Sequence, residues 1–134
     1  MTYDTGKVKA VFASYPVVAA YLFGSQASAT TTPLSDVDIA VLLEPDTPSP
    51  GHVQADLISD LMLALHRSDV DVVILNTAPP LLKARAIFRG RLLYCRDHLA
   101  RLRFEVAARR DYLDTQPLRD AQDRALLDRY TAPR

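Results

Sequence analysis

The sequence predicts an α/β (α+β) domain, on three observations. Short runs rich in β-branched and aromatic residues alternate with segments of helical periodicity, the breaks between them carry Gly, Pro, Ser and Asn, and 134 residues suffice for one core but not for a separate substrate domain.

In the first segment, Thr5 to Ser14, Val8, Val11 and Phe12 recur at i, i+3 and i+4, which predicts a short amphipathic helix closed by Pro16. Val17 to Phe23 is a buried strand, and Gly24-Ser25 makes a turn at its end. The stretch Gln26 to Ser35 is small and polar, a short helix or a loop. A second strand covers Asp36 to Leu43, where Val37, Ile39 and Val41 alternate with Asp36, Asp38 and Ala40, so both carboxylates project from one face. Glu44 to Gly51 has three prolines and no period, and is expected to be an exposed loop.

Leu57, Ile58, Leu61, Met62 and Leu65 then predict a longer helix from about Val53 to His66. Val70 to Leu75 is another buried strand. Asn76 or Thr77 is expected to cap a helix that opens with Pro79-Pro80 and stops at Gly90, and Leu92 to Tyr94 forms the last strand. Beyond Asp97 the chain is charged and helical, with Leu99, Leu102, Val106 and Leu113 at near-heptad spacing. Thr115 to Pro117 is expected to break that helix, leaving a turn or two around Ala121 to Tyr130 that orders against a partner. The expected organisation is a domain over 1–113 and a partner-binding helical tail over 114–134.

Composition removes several function classes. Sixteen basic and sixteen acidic side chains cancel, so no global field draws the chain to nucleic acid or to an anionic membrane. No run of about 18 uncharged apolar residues is present and the N-terminus does not read as a signal peptide, so neither a membrane span nor export is expected. A single cysteine, Cys95, excludes an internal disulfide and suits a reducing compartment, so a cytoplasmic location is expected. His52, His66 and His98 lie in three segments without ligand spacing, which argues against zinc.

Chemistry gathers at the Gly-Ser turn and the aspartates. Asp36 and Asp38, one residue apart on a strand, can grip a hard divalent cation, for which magnesium is the obvious candidate. Asp71 interrupts the otherwise apolar strand Val70-Asp71-Val72-Val73-Ile74 and would complete the cluster if that strand pairs with the Asp36–Leu43 strand. Three carboxylates holding two metals about 3.5–4 Å apart would clamp the attacking and leaving oxygens of an in-line phosphoryl displacement. Gly24 lets the backbone approach a phosphate, and the following amides with the Ser25 hydroxyl can donate to its oxygens. A Gly-Ser pair alone is usually a turn, and an Asp-x-Asp pair alone often only ends a strand; their ordered combination with Asp71 carries the inference.

Phe23-Gly24-Ser25 and Ser35-Asp36-Val37-Asp38-Ile39, with ten residues between Ser25 and Asp36, resemble the signature of the polymerase-β-type nucleotidyltransferase superfamily. More narrowly, Val70 to Asn76, Ala78-Pro79-Pro80-Leu81-Leu82 and Gly90-Arg91-Leu92-Leu93-Tyr94 resemble the minimal nucleotidyltransferase (MNT) antitoxins of HEPN/MNT toxin–antitoxin modules, over roughly residues 17 to 113. The resemblance implies a mixed β-sheet flanked by helices, ATP as AMP donor and magnesium as cofactor. It implies Asp36 and Asp38 as metal ligands, Asp71 as the third acid beside the nucleophile, and Gly24 and Ser25 as the phosphate turn. It also implies a HEPN-family toxin as partner, assembled with this chain and modified on a tyrosine.

One departure stands out. Gly24-Ser25-Gln26-Ala27-Ser28 has Ser28 where most family members carry an arginine, and serine cannot supply a planar, permanently protonated fork to the transferred phosphate. Lys83, Arg85 and Arg89 are candidates for the missing charge, although each reads first as a solvated helix residue. Transfer to a small hydroxylated molecule and neutralisation by occlusion without catalysis are the alternative functions.

Overall fold

The computed structural model describes residues 5–23 and 37–131. Gly24, Ser25, Ser28 and Asp36 lie outside the described residues, as does the Gln26–Ser35 segment. Strand β1 (Val17–Phe23) has six buried residues out of seven, as expected of an apolar run covered on both faces. Its position explains this: in the sheet order β3-β2-β1-β4 it is internal. It pairs antiparallel with β2 (Val37–Leu43) on one side and with β4 (Arg91–Cys95) on the other. Strand β3 (Val70–Ile74) pairs parallel with β2, so the sheet is mixed.

Helices α1 (Thr5–Ala13) and α2 (Pro50–Leu65) cover one face, where Phe12, Leu22, Ile39, Leu57, Leu61 and Val72 are almost fully buried together. The other face packs Tyr21, Ala40, Leu42 and Leu75 beneath α3 (Pro80–Arg89) and α4 (His98–Asp114), through Ala86, Ala100 and Phe104. Alternation along β2 sorts the side chains: Val37, Ile39, Val41 and Leu43 go to the α1/α2 side, and Ala40 and Leu42 to the α3/α4 side.

Several boundaries differ from expectation for identifiable reasons. Helix α2 begins at Pro50, inside the expected Glu44–Gly51 loop, because a proline in the first turn has the helical φ and no N–H to leave unpaired. Asn76 does not cap α3. Its side-chain oxygen accepts the Leu43 N–H at 2.9 Å and its amide donates to the Leu43 carbonyl at 2.9 Å, pinning a 3₁₀ turn (Leu75–Thr77) to the end of β2. Thr77 does not cap it either; Pro79 occupies the cap position without a side-chain bond.

Gly90 ends α3 as expected, but its φ of −80° is open to any residue. The glycine is required by close approach, since a Cβ there would sit 2.2 Å from the Ala86 carbonyl oxygen and 3.1 Å from that of Leu22. After α4, whose cap Asp97 accepts the Ala100 N–H at 3.1 Å, the break shrinks to Thr115. Helix α5 (Gln116–Thr131) is longer than the expected turn or two, because Pro117 falls in its first turn and starts the helix rather than breaking one. At the far end of the sheet from Asp38, Arg96 donates to the carbonyls of Ala13 (3.1 Å) and Tyr15 (2.8 Å) and to Glu44 (3.2 Å), tying α1 to the strand ends.

Candidate functional site

Asp38 and Asp71 are register partners across the parallel β2–β3 pair. Their neighbours Val37, Ile39, Val70 and Val72 point into the α1/α2 core, so by strand alternation both carboxylates fall on the opposite, α3/α4 face. Adjacent strands lie about 4.8 Å apart, which brings the two acids within reach of a shared ligand. Asp38 is half-buried and Asp71 exposed; one Asp71 oxygen accepts the Val72 N–H at 3.0 Å.

Phe23, the last residue of β1, is the register partner of Asp38 on its other side. The chain therefore leaves β1 towards Gly24-Ser25 beside Asp38, and Asp36 is bonded to Val37 at the start of β2. Of the three acids named from sequence, two are brought into register on one face. Asp36, Gly24 and Ser25 fall outside the described residues, and among the described residues no group of three His, Cys, Asp or Glu side chains comes together.

The chemistry of the donor set fits a hard cation. Like charges set opposite each other on neighbouring strands repel, and carboxylate oxygens suit magnesium rather than a softer metal. Beside this pair, β1 contributes Tyr21, buried on the same face. Its hydroxyl donates to Glu105 of α4 at 3.1 Å, and Arg101 holds Glu105 with two contacts of 3.0 and 3.1 Å. Burial, followed by the Glu105 charge and hydrogen bond, pushes this phenol well above its ordinary value.

Nothing in the sequence around Tyr21 marks this link, because an aromatic residue in an apolar strand reads as core. The legible half was the i,i+4 spacing of Arg101 and Glu105 on one helix. Tyr15 is likewise more than a ring: its hydroxyl donates to Asp60 of α2, and that bond, with burial, pushes its pKa up to about 12.

The cations weighed as substitutes for the missing arginine separate. Lys83 is half-buried with its ammonium 5.9 Å from the Phe104 ring centroid, whereas Arg85 and Arg89 are exposed. Arg89 precedes Gly90, which packs on Leu22, and Arg91 is the register partner of Leu22, so both belong to the Asp38 end of the sheet. No helix among the described residues is long and apolar enough to cross a membrane.

Comparison with known proteins gives the arrangement its relatives. The family model described as polymerase beta, nucleotidyltransferase matches residues 6–99. A toxin–antitoxin crystal structure with AMP-PNP superposes with a TM-score of 0.77 at 27% identity, covering 92% of this chain and 98% of that one. A mutant of the toxin–antitoxin MntA–HpeT gives 0.78 at 25%, with 92% and 98% covered. The Shewanella oneidensis complex of a tri-AMPylated HEPN toxin with its MNT antitoxin gives 0.71 at 25%, with 92% and 95% covered. Comparison with curated proteins finds no match. With its mixed sheet, its in-register aspartates and a family match over most of its length, the chain belongs to the polymerase beta nucleotidyltransferase family.

Proposed function

We propose that this protein is an antitoxin that transfers AMP from ATP to a tyrosine hydroxyl of a HEPN-type toxin, with magnesium as cofactor. The observation that carries the reading is the register of Asp38 with Asp71 beside the end of β1. The similar structures support the donor and the acceptor class, since one holds AMP-PNP and another contains an AMPylated HEPN toxin.

In this reading Asp36 and Asp38 hold the cation, Asp71 completes the set, and Gly24 and Ser25 present backbone and hydroxyl donors to the phosphates. Magnesium, when bound, neutralises phosphate charge and favours the ionised form of a hydroxyl next to it. Asp71, the more exposed acid, faces the incoming tyrosine and accepts its proton. The phenolic oxygen forms a bond to the α-phosphorus, the bond from that phosphorus to the β-phosphate bridge breaks, and pyrophosphate leaves with the electron pair. Helix α5 and the rest of the 114–134 tail serve partner binding, in a protein that works in the cytoplasm without nucleic acid or membrane.

The test is intact-mass spectrometry of a HEPN-type toxin that forms a complex with this chain, after incubation with the chain and Mg-ATP. Mass increments of whole AMP units, absent without magnesium, are expected; an unchanged mass in a complex that forms would overturn the transfer reading. Ser28 favours one second reading, in which the chain silences its partner by occlusion alone. Toxin activity restored by dissociating an unmodified complex would establish that reading instead.

A further inference from the structure

Helix α4 turns Phe104, Ala108, Arg101 and Glu105 towards the sheet and leaves a second face uncovered. Leu99, Leu102, Val106 and Leu113 on that face are 58%, 48%, 56% and 62% exposed. At 3.6 residues per turn they form one narrow stripe, spaced by three, four and seven residues, as in a two-helix seam. Arg103 and Arg110 run along one edge and Arg109 along the other, all exposed. Leu102, Val106, Ala107, Arg103 and Arg110 line a shallow groove of about 380 Å³.

The face is basic as well as apolar. Glu105, the acid in the middle of the helix, is engaged by Tyr21 and Arg101 on the sheet side, and Asp114 at the C-terminal end is the one acid on the Arg103/Arg110 edge, so the three arginines leave the face net positive. Arg103 and Arg110 form no ion pair among the described residues. A second copy of the chain would set these arginines against arginines, which disfavours self-pairing. An interfacial membrane helix needs a broad apolar face, whereas this stripe has the width of a coiled-coil seam.

We propose that this face of α4 docks an amphipathic helix of a protein partner, about four turns long, whose apolar seam is flanked by Asp and Glu. The proposal rests on the functional reading only in that the chain acts on a protein partner, and it places a contact inside the domain in addition to the one made by the tail.

The experiment measures the Kd of the full chain for a HEPN-type toxin, by titration calorimetry, at two salt concentrations. Two variants are compared, Val106→Asp and the pair Arg103→Glu with Arg110→Glu; all three positions are exposed and none belongs to the nucleotide site. A Kd weakened about tenfold or more in each, with the unsubstituted Kd weakening as salt rises and Mg-ATP binding unchanged, is expected. An unchanged Kd in both variants overturns the docking face, and an AMP adduct still formed by them leaves the transferase reading standing. Binding through this face with no adduct overturns transfer and keeps the face. Loss of binding to phosphatidylserine vesicles in the variants, with partner affinity intact, overturns the proposal in favour of a lipid surface, and no binding by the unsubstituted chain overturns both.

Discussion

His66 closes α2 with a φ of 53°, a left-handed conformation that crowds any Cβ against the next carbonyl. Glycine removes that crowding but loses more freedom on folding, so His66→Gly is expected to stabilise the protein by about 0.5–1 kcal/mol, read from urea unfolding midpoints. Tyr15 sets a pH limit. Its folded pKa of about 12 stands above the ordinary 10.0, so the folded state keeps a proton that the unfolded chain releases. The stabilisation is complete below pH 10 and fades as pH rises through 12; Tyr15→Phe should flatten the stability profile over that window in pH-dependent melts. A profile as steep as that of the unsubstituted chain would mean Tyr21, whose phenol is raised further, governs the alkaline limb alone.

Among the elements, α3 and α5 differ in what holds them. Gly90 lets α3 return onto Leu22, and a methyl group there meets backbone rather than a flexible side chain, so Gly90→Ala should cost about 1–3 kcal/mol by equilibrium denaturation. None of the described side chains of α5 is buried, and Leu118, Leu126 and Leu127 are 50–62% exposed. Removing the chain after Thr115 should therefore leave the melting temperature almost unmoved while weakening the partner complex. The elements themselves were largely legible: β1 runs over the expected Val17–Phe23 because a run of β-branched and aromatic residues between Pro16 and Gly24 has no better use. Boundaries set by single residues in tertiary contact were not. Asn76 is a good helix cap by type, and only the arrival of Leu43 beside it makes it a clamp. Pro117 is a breaker or a starter according to which residue precedes the helix, and that depends on Thr115, whose hydroxyl bonds back to the carbonyls of Asp111 and Tyr112.

At the scale of the whole molecule, sequence spacing pairs Asp36 with Asp38 on one strand but leaves Asp71 conditional, because strand pairing is a property of the sheet. The parallel β2–β3 pair, joined through α2, supplies the condition by setting Asp71 opposite Asp38. The coupling of Tyr21 to α4 was likewise invisible, since its partner Glu105 is 84 residues away. If the carboxylates hold magnesium and ATP, ligand binding adds to folding stability by mass action, about 2.7 kcal/mol at a hundredfold excess over Kd. A melting midpoint unmoved by saturating Mg-ATP would remove the nucleotide site. The most direct test of the account is the single-turnover rate of AMP transfer to the partner by Asp71→Asn, with partner affinity measured alongside. Asn preserves shape and removes the charge proposed to take the phenolic proton, so the rate should fall by orders of magnitude while affinity stays as it was. Transfer by Asp71→Asn at the unsubstituted rate would contradict the account.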